Sequence, residues 1–174
     1  MRDLANKERI FEFMNRFGRA ARSSVRVYLT GGSTAVLFGW RDSTLDIDLR
    51  FLPETDELFS AIPKLKEDLR INVELAAPCD FVPLLPGWEE RSVYIDTVGK
   101  VNFYHYDPYS QALAKIERGH AQDRTDVEAM FSAGLVDRKK LFELFQVIVP
   151  QLYKYPAINP ESFETAVRKA TGSL

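Results

Sequence analysis

Cysteine and histidine are scarce in this chain of 174 residues, which has one cysteine and two histidines. A single cysteine, Cys79, cannot form an internal disulfide, and such sparing use is typical of a reducing cytoplasm. His105 and His120 have no histidine, cysteine or carboxylate at the spacing of a zinc site, so neither is expected to bind zinc.

Long apolar runs and an excess of charge are absent as well. No uninterrupted apolar run reaches the roughly 18 residues that a membrane span requires, and charged residues interrupt positions 1–22, which is not the pattern of a signal peptide. The net charge is −2, so no general basic field favours strong DNA binding. We therefore expect a cytoplasmic protein that does not contact membranes.

The periodicity of apolar residues predicts an α+β fold in which helices flank a mixed sheet. We expect a core over residues 1–106, begun by an amphipathic helix, and a helical region over 107–174 that packs on it. Pro63 is expected to kink or split a helix over 54–69. Helices are predicted at 3–22, 34–39, 54–69, 108–118, 123–133, 137–150 and 160–171, and strands at 25–30, 44–51, 71–77, 91–96 and 100–106.

Two motifs carry the chemistry. Gly31-Gly32-Ser33 leaves an apolar strand and enters a short helix, a geometry that suits phosphate oxygens. Asp46 and Asp48 alternate with apolar residues, so both carboxylates share one face of a strand. Two adjacent carboxylates repel each other unless a cation lies between them, and Mg²⁺ prefers such oxygen ligands. Together the motifs indicate phosphoryl or nucleotidyl transfer.

These motifs resemble the nucleotidyltransferase superfamily, which has a polymerase-beta-like fold, and are similar to its minimal, AbiEii-toxin-like members. The likeness extends over about residues 25–130. Arg41-Asp42-Ser43 matches a basic-x-Ser element that precedes the aspartates. Lys115 and the segment Gln122–Asp126 are similar to a later lysine and a basic-Asp-x-x-Asp element, although Gln122 replaces the basic residue.

The resemblance implies a role for each matched residue. Two Mg²⁺ or Mn²⁺ ions would be held by Asp46, Asp48 and a third carboxylate. Glu74 fits that third position, and Asp80 is the alternative, although Pro78 is expected to end the strand before it. The nucleoside triphosphate (NTP) would contact Gly31, Gly32, Ser33, Arg41 and Ser43. Arg41 and Lys115 would neutralise the charge on the leaving pyrophosphate, and Asp126 would orient Lys115 or contact the nucleotide. Asp123 is interpreted as a helix cap.

The function implied is transfer of a nucleoside monophosphate from an NTP to a protein or RNA acceptor. Such an enzyme would belong to a toxin–antitoxin or phage-defence system and would pair with a cognate toxin or antitoxin. The alternative is a catalytically weak binding module with the same fold that acts only as a toxin or antitoxin partner. The intact motif residues Gly32, Ser33, Asp46 and Asp48 favour the enzyme, whereas the short chain, in which no substrate-recognition domain is expected, keeps the binding module as the second hypothesis.

Overall fold

The structure, a computed structural model, describes residues 2–173 and divides into two compact units. The first unit consists of Met1–Ala77 and Ser92–Tyr106, and the second consists of Pro78–Arg91 and Asp107–Leu174. The proline-containing segment that follows the third predicted strand therefore groups with the helical part of the chain.

The strands of the first unit are β1 (Ala5–Asn6), β2 (Val25–Thr30), β3 (Ser43–Thr44), β4 (Asp46–Leu52), β5 (Asn72–Leu75), β6 (Val93–Val98) and β7 (Val101–His105). Five of them form a mixed sheet with the order β5-β4-β2-β7-β6. Strands β2 and β4 are antiparallel, whereas β2 with β7 and β4 with β5 are parallel. A separate short antiparallel pair joins β1 to β3.

Three helices accompany this sheet: α1 (Lys7–Ala20), α2 (Gly32–Phe38) and α3 (Asp56–Asp68). The Asn6 side chain accepts a hydrogen bond from the Arg9 backbone N–H at 3.0 Å and so caps α1. Phe13 and Phe17 of α1 are fully buried in the apolar core, and Phe17 meets Phe51 of β4 edge to face. The amphipathic pattern thus anchors α1 on the sheet.

The predicted α+β class with a mixed sheet and flanking helices is confirmed, and it is consistent with a nucleotidyltransferase-like fold. Three local predictions differ from the structure. Residues 5–6, expected inside a helix over 3–22, form strand β1, and α1 begins only at Lys7. Pro63 lies inside the single helix α3 and does not split it; Pro63 and Phe59 are both exposed, so water can solvate the Phe59 carbonyl that loses its donor. Helix α2 begins at Gly32 rather than at residue 34.

The second unit is helical. Asp107 caps α5 by accepting a hydrogen bond from the Tyr109 backbone N–H at 3.1 Å, as the Asp-Pro pair predicts. Its core includes Leu113, Met130 and Phe145, all nearly inaccessible to solvent. Its helices are α4 (Trp88–Arg91), α5 (Pro108–Arg118), α6 (Ala121–Ser132), α7 (Arg138–Ile148) and α8 (Pro160–Thr171), with 3₁₀ turns at Pro78–Asp80 and Val149–Lys154.

Candidate functional site

The two aspartates lie on β4, between the edge strand β5 and the central strand β2 of the sheet. Asp46 and Asp48 are half-buried and alternate with the buried Ile47 and Leu49, so both carboxylates project from one face. Antiparallel pairing sets Asp48 opposite Thr30, the last residue of β2. The register therefore brings the second aspartate to the point where β2 enters its turn.

Gly31 forms that turn with a φ of 63°, which favours glycine. A Cβ atom added at Gly31 would lie only 2.8 Å from Oδ2 of Asp48. The carboxylate of Asp48 therefore packs directly against the turn, and a larger residue at position 31 would displace it. The turn and the aspartate strand, which the sequence singles out separately, are neighbours in space.

Gly32, the next residue of the turn, is packed closely against Thr44 and Arg41. A Cβ atom there would overlap the side chain of Thr44 on β3 and would lie 3.4 Å from Nη1 of Arg41. Ser43, half-buried, precedes Thr44 on the same short strand. The basic-x-Ser element thus brings a guanidinium group beside the glycine turn.

Ser33 is the most unusual polar residue of this region. Its side chain is completely buried, and its Oγ atom has no hydrogen-bond partner among the residues that the structure describes. A buried hydroxyl without a partner costs about 1–3 kcal/mol. A bound water or a ligand oxygen would each satisfy such a group, and here the hydroxyl directly follows the two turn glycines.

Strand β5 contributes two more polar residues next to the aspartates. Parallel pairing aligns Asp46 with Asn72 and Asp48 with Glu74. The amide of Asn72 donates to Asp46 Oδ1 at 2.6 Å and to Glu74 Oε1 at 2.9 Å. Glu74 is exposed, and Asp80 lies beyond the end of β5 in the Pro78–Asp80 turn.

The carboxylate oxygens of Asp46 and Asp48 are ligands of the kind that Mg²⁺ prefers. Within residues 2–173, the His, Cys, Asp and Glu side chains do not form a group of three or more that could hold a metal by itself. Mg²⁺ commonly binds through one or two carboxylates and takes its other ligands from water and substrate phosphates. Asp46 and Asp48 on one strand face, beside the buried hydroxyl of Ser33, match that pattern.

A buried histidine behind the turn was not predicted. Nδ1 of His105 lies 3.1 Å from Oγ1 of Thr34 on α2, and the ring of Phe38 packs on the imidazole with centroids 4.5 Å apart. Burial lowers the pKa of His105 from 6.5 to about 4. No spacing in the sequence signals this contact, because it depends on the parallel pairing of β7 with β2.

Lys115 and Asp126 form an ion pair in the second unit. Lys115 Nζ lies 2.7 Å from Asp126 Oδ2 and 3.7 Å from Asp123 Oδ1, and both aspartates are almost inaccessible to solvent. The predicted pairing of Lys115 with Asp126 is thus present. A lysine that is itself 6% exposed is well neutralised by two carboxylates.

Asp123 takes part in the cap of α6, but not in the way expected for it: the helix begins at Ala121 with His120 as its N-cap, and Asp123 is the third helical residue. It accepts a hydrogen bond from the backbone N–H of His120 at 3.2 Å and pairs with Arg118 at 2.5 Å. Burial alone would raise the pKa of Asp123, but hydrogen bonds and the charges of Arg118 and Lys115 outweigh burial and lower it. Asp123 therefore joins the cap of α6 to this charged cluster.

The predicted site residues accordingly fall into two groups. The first unit contains Gly31, Gly32, Ser33, Arg41, Ser43, Asp46, Asp48 and Glu74. The second unit contains Lys115 and Asp126.

A mixed sheet with two aspartates on one strand, packed against a glycine turn, is the arrangement typical of a nucleotidyltransferase. The chain belongs to the family described as nucleotidyltransferase of unknown function (DUF6036), whose model matches residues 6–164. Searches of curated proteins and of solved structures each return no match. No helix within residues 2–173 is both long and apolar enough to cross a membrane.

The buried imidazole predicts a pH-dependent stability. Because the folded-state pKa of His105 is about 4 and the unfolded value is 6.5, the unfolded chain binds the proton more readily, and stability falls as the pH drops from 6.5 toward 4. This one group accounts for about 3 kcal/mol over that interval. Urea denaturation across the interval should show that loss in the wild type and less of it in His105→Asn. Equal pH dependence in the two proteins would contradict the assignment.

Removing one partner of the buried ion pair should destabilise the protein. Asp126→Asn leaves the charge of Lys115 with only the more distant Asp123, and breaking a buried pair costs about 3 kcal/mol. Urea denaturation measures this cost. Glu164→Gln is the matched control, because its partner Arg168 is more than a third exposed and such pairs contribute about 0.5 kcal/mol. Similar losses in the free energy of unfolding in both variants would show that the buried pair stabilises the protein no more than the exposed pair does.

Proposed function

We propose that this protein is a magnesium-dependent nucleotidyltransferase that moves a nucleoside monophosphate from an NTP to a protein or RNA acceptor. The observation that carries the proposal is the contact of the Asp48 carboxylate with the Gly31 turn, next to the unpartnered buried hydroxyl of Ser33. The group that we propose for cation binding thus lies beside the turn that we propose for phosphate binding. Family membership supports the reaction class.

The chain's own residues have distinct roles in this proposal. Asp46 and Asp48 would hold Mg²⁺ or Mn²⁺, with Glu74 as the third carboxylate, either helping to hold the metal or accepting the proton of the acceptor hydroxyl. When bound, the metal neutralises phosphate charge and aligns the reacting oxygens. Ser33 Oγ would donate to a phosphate oxygen beside the backbone of Gly31 and Gly32.

The covalent change is an in-line displacement. The acceptor oxygen forms a bond to the α-phosphorus, the bond between that phosphorus and the bridging oxygen of the β-phosphate breaks, and pyrophosphate leaves. Arg41 beside the turn, with Ser43, would bind the departing phosphates.

The biological setting that we propose is a toxin–antitoxin or phage-defence system, on the basis of the AbiEii-like sequence elements around Arg41 and Lys115. In that setting a cognate toxin or antitoxin would be a partner. The competing hypothesis, a binding module with weak or no catalysis, is separated from ours by a labelling experiment.

Labelling from each α-³²P NTP, with Mg²⁺ and a cell lysate, should transfer radioactivity to a protein or an RNA. Asp46→Asn and Asp48→Asn should each reduce the label at least about 100-fold, because a lost metal ligand removes several kcal/mol of transition-state stabilisation. Asp96→Asn is the control: this aspartate lies on β6, is exposed and accepts from the Thr97 backbone N–H. Failure of the wild type to label any acceptor with any NTP would favour the binding module.

Ser33→Ala should have opposite effects on stability and on nucleotide binding. Without nucleotide it should raise the free energy of unfolding by about 1 kcal/mol, because it removes a buried hydroxyl that has no partner. With Mg²⁺ and a non-hydrolysable NTP it should bind about tenfold more weakly, since a hydrogen bond to a charged group contributes about 1.5 kcal/mol or more. Thermal denaturation with and without ligand measures both effects.

Ser110→Ala is the control for that experiment. Ser110 is also buried, but its hydroxyl donates to Asp107 Oδ2 at 2.7 Å, so its loss should destabilise the protein and leave nucleotide binding unchanged. A wild-type protein whose melting temperature does not respond to any nucleotide at millimolar concentration would refute the nucleotide site.

A further inference from the structure

Asn72 lies at the centre of the polar cluster formed by β4 and β5. It is half-buried and aligned with Asp46 in the parallel register. Its Nδ2 atom donates one hydrogen bond to Asp46 and another to Glu74, at 2.6 and 2.9 Å. One amide group therefore uses both of its N–H bonds on carboxylates that would otherwise repel each other.

The orientation of this amide follows from chemistry. Ionised carboxylates only accept hydrogen bonds, so the amide nitrogen must face Asp46 and Glu74. The amide oxygen must then face a donor, and Arg2 supplies one through its guanidinium group. The backbone N–H of Asp3 donates to the Arg70 carbonyl at 2.7 Å, which fastens this part of the chain near β5.

We propose that Asn72 is a positioning residue for metal binding, which acts by fixing the carboxylate of Asp46. This inference rests on the proposed function. The amide engages Oδ1 of Asp46 and thereby sets the plane of the carboxylate, while Oδ2 is left to face a cation. The same amide draws Glu74 toward Asp46. Residues that orient metal ligands in this way typically change metal affinity 10–100-fold when they are lost.

Titration with Mn²⁺ alone, followed by the electron paramagnetic resonance signal of the free ion, tests this role on the full chain. We expect Asn72→Ala to raise the Kd for Mn²⁺ at least about tenfold. Asn72→Thr should give the same loss, because it removes the amide and retains a residue that favours strands. This second variant keeps the test valid if the alanine variant does not fold. Asn102→Ala, at an exposed asparagine of β7 bonded to Thr97, should bind as the wild type does.

A double-mutant cycle separates positioning from a general structural effect. If Asn72 acts through Asp46, then adding Asn72→Ala to Asp46→Asn should weaken Mn²⁺ binding no more than about twofold further. Affinity losses that multiply in the double variant, or wild-type affinity in both single variants of Asn72, would overturn the inference and leave the proposed function standing. Wild-type protein that binds no Mn²⁺, or binds it equally well with Asp46→Asn, would instead remove the metal site on which both depend.

Discussion

The antiparallel register of β2 with β4 is the constraint on which the candidate site depends. Because Thr30 is paired with Asp48, the turn that follows β2 must lie beside the carboxylate of the second aspartate. A shift of one residue would turn both aspartates to the other face of the sheet. The buried residues Ile47 and Leu49 oppose such a shift, since it would expose them. The packing of the core thus fixes the position of the polar groups.

Both units contain acidic groups in close proximity, and each compensates them differently. In the first unit, a neutral amide joins Asp46 to Glu74, which leaves the negative charge of the pair in place. In the second unit, Asp123 and Asp126 are paired with Lys115 and Arg118, which cancels the charge. Only the first arrangement keeps a net attraction for an added cation. This contrast agrees with a metal site at β4 and with a structural ion pair around Lys115.

Much of the fold could be predicted from the sequence, because strong periodicity and turn residues mark its elements. The strand that leads into Gly31, the hairpin near Gly99 and the helix that begins after Asp107 all follow from such local signals. Pro63 does not split α3, because it lies on the exposed side of the helix, where water can solvate the carbonyl that loses its donor. The short pair of β1 with β3 has no local signal, since two residues per strand are too few to show a period.

The candidate site could be predicted only in part for a related reason. The glycine turn and the Asp-x-Asp strand are local motifs, so their residues are visible in the sequence. The roles of Asn72 and His105 depend on partners that lie 26 and 71 residues away along the chain. Those contacts arise from strand register and helix packing, which a single sequence does not encode in a short motif. The unpartnered hydroxyl of Ser33 likewise became evident only from its burial.

The pairing of β1 with β3 has a practical consequence. Ala5 is aligned with Thr44, whose side chain fills the space in front of Gly32. A fusion partner or deletion that displaces residues 2–6 would therefore disturb the wall of the proposed nucleotide pocket through main-chain hydrogen bonds, without touching any of its polar side chains.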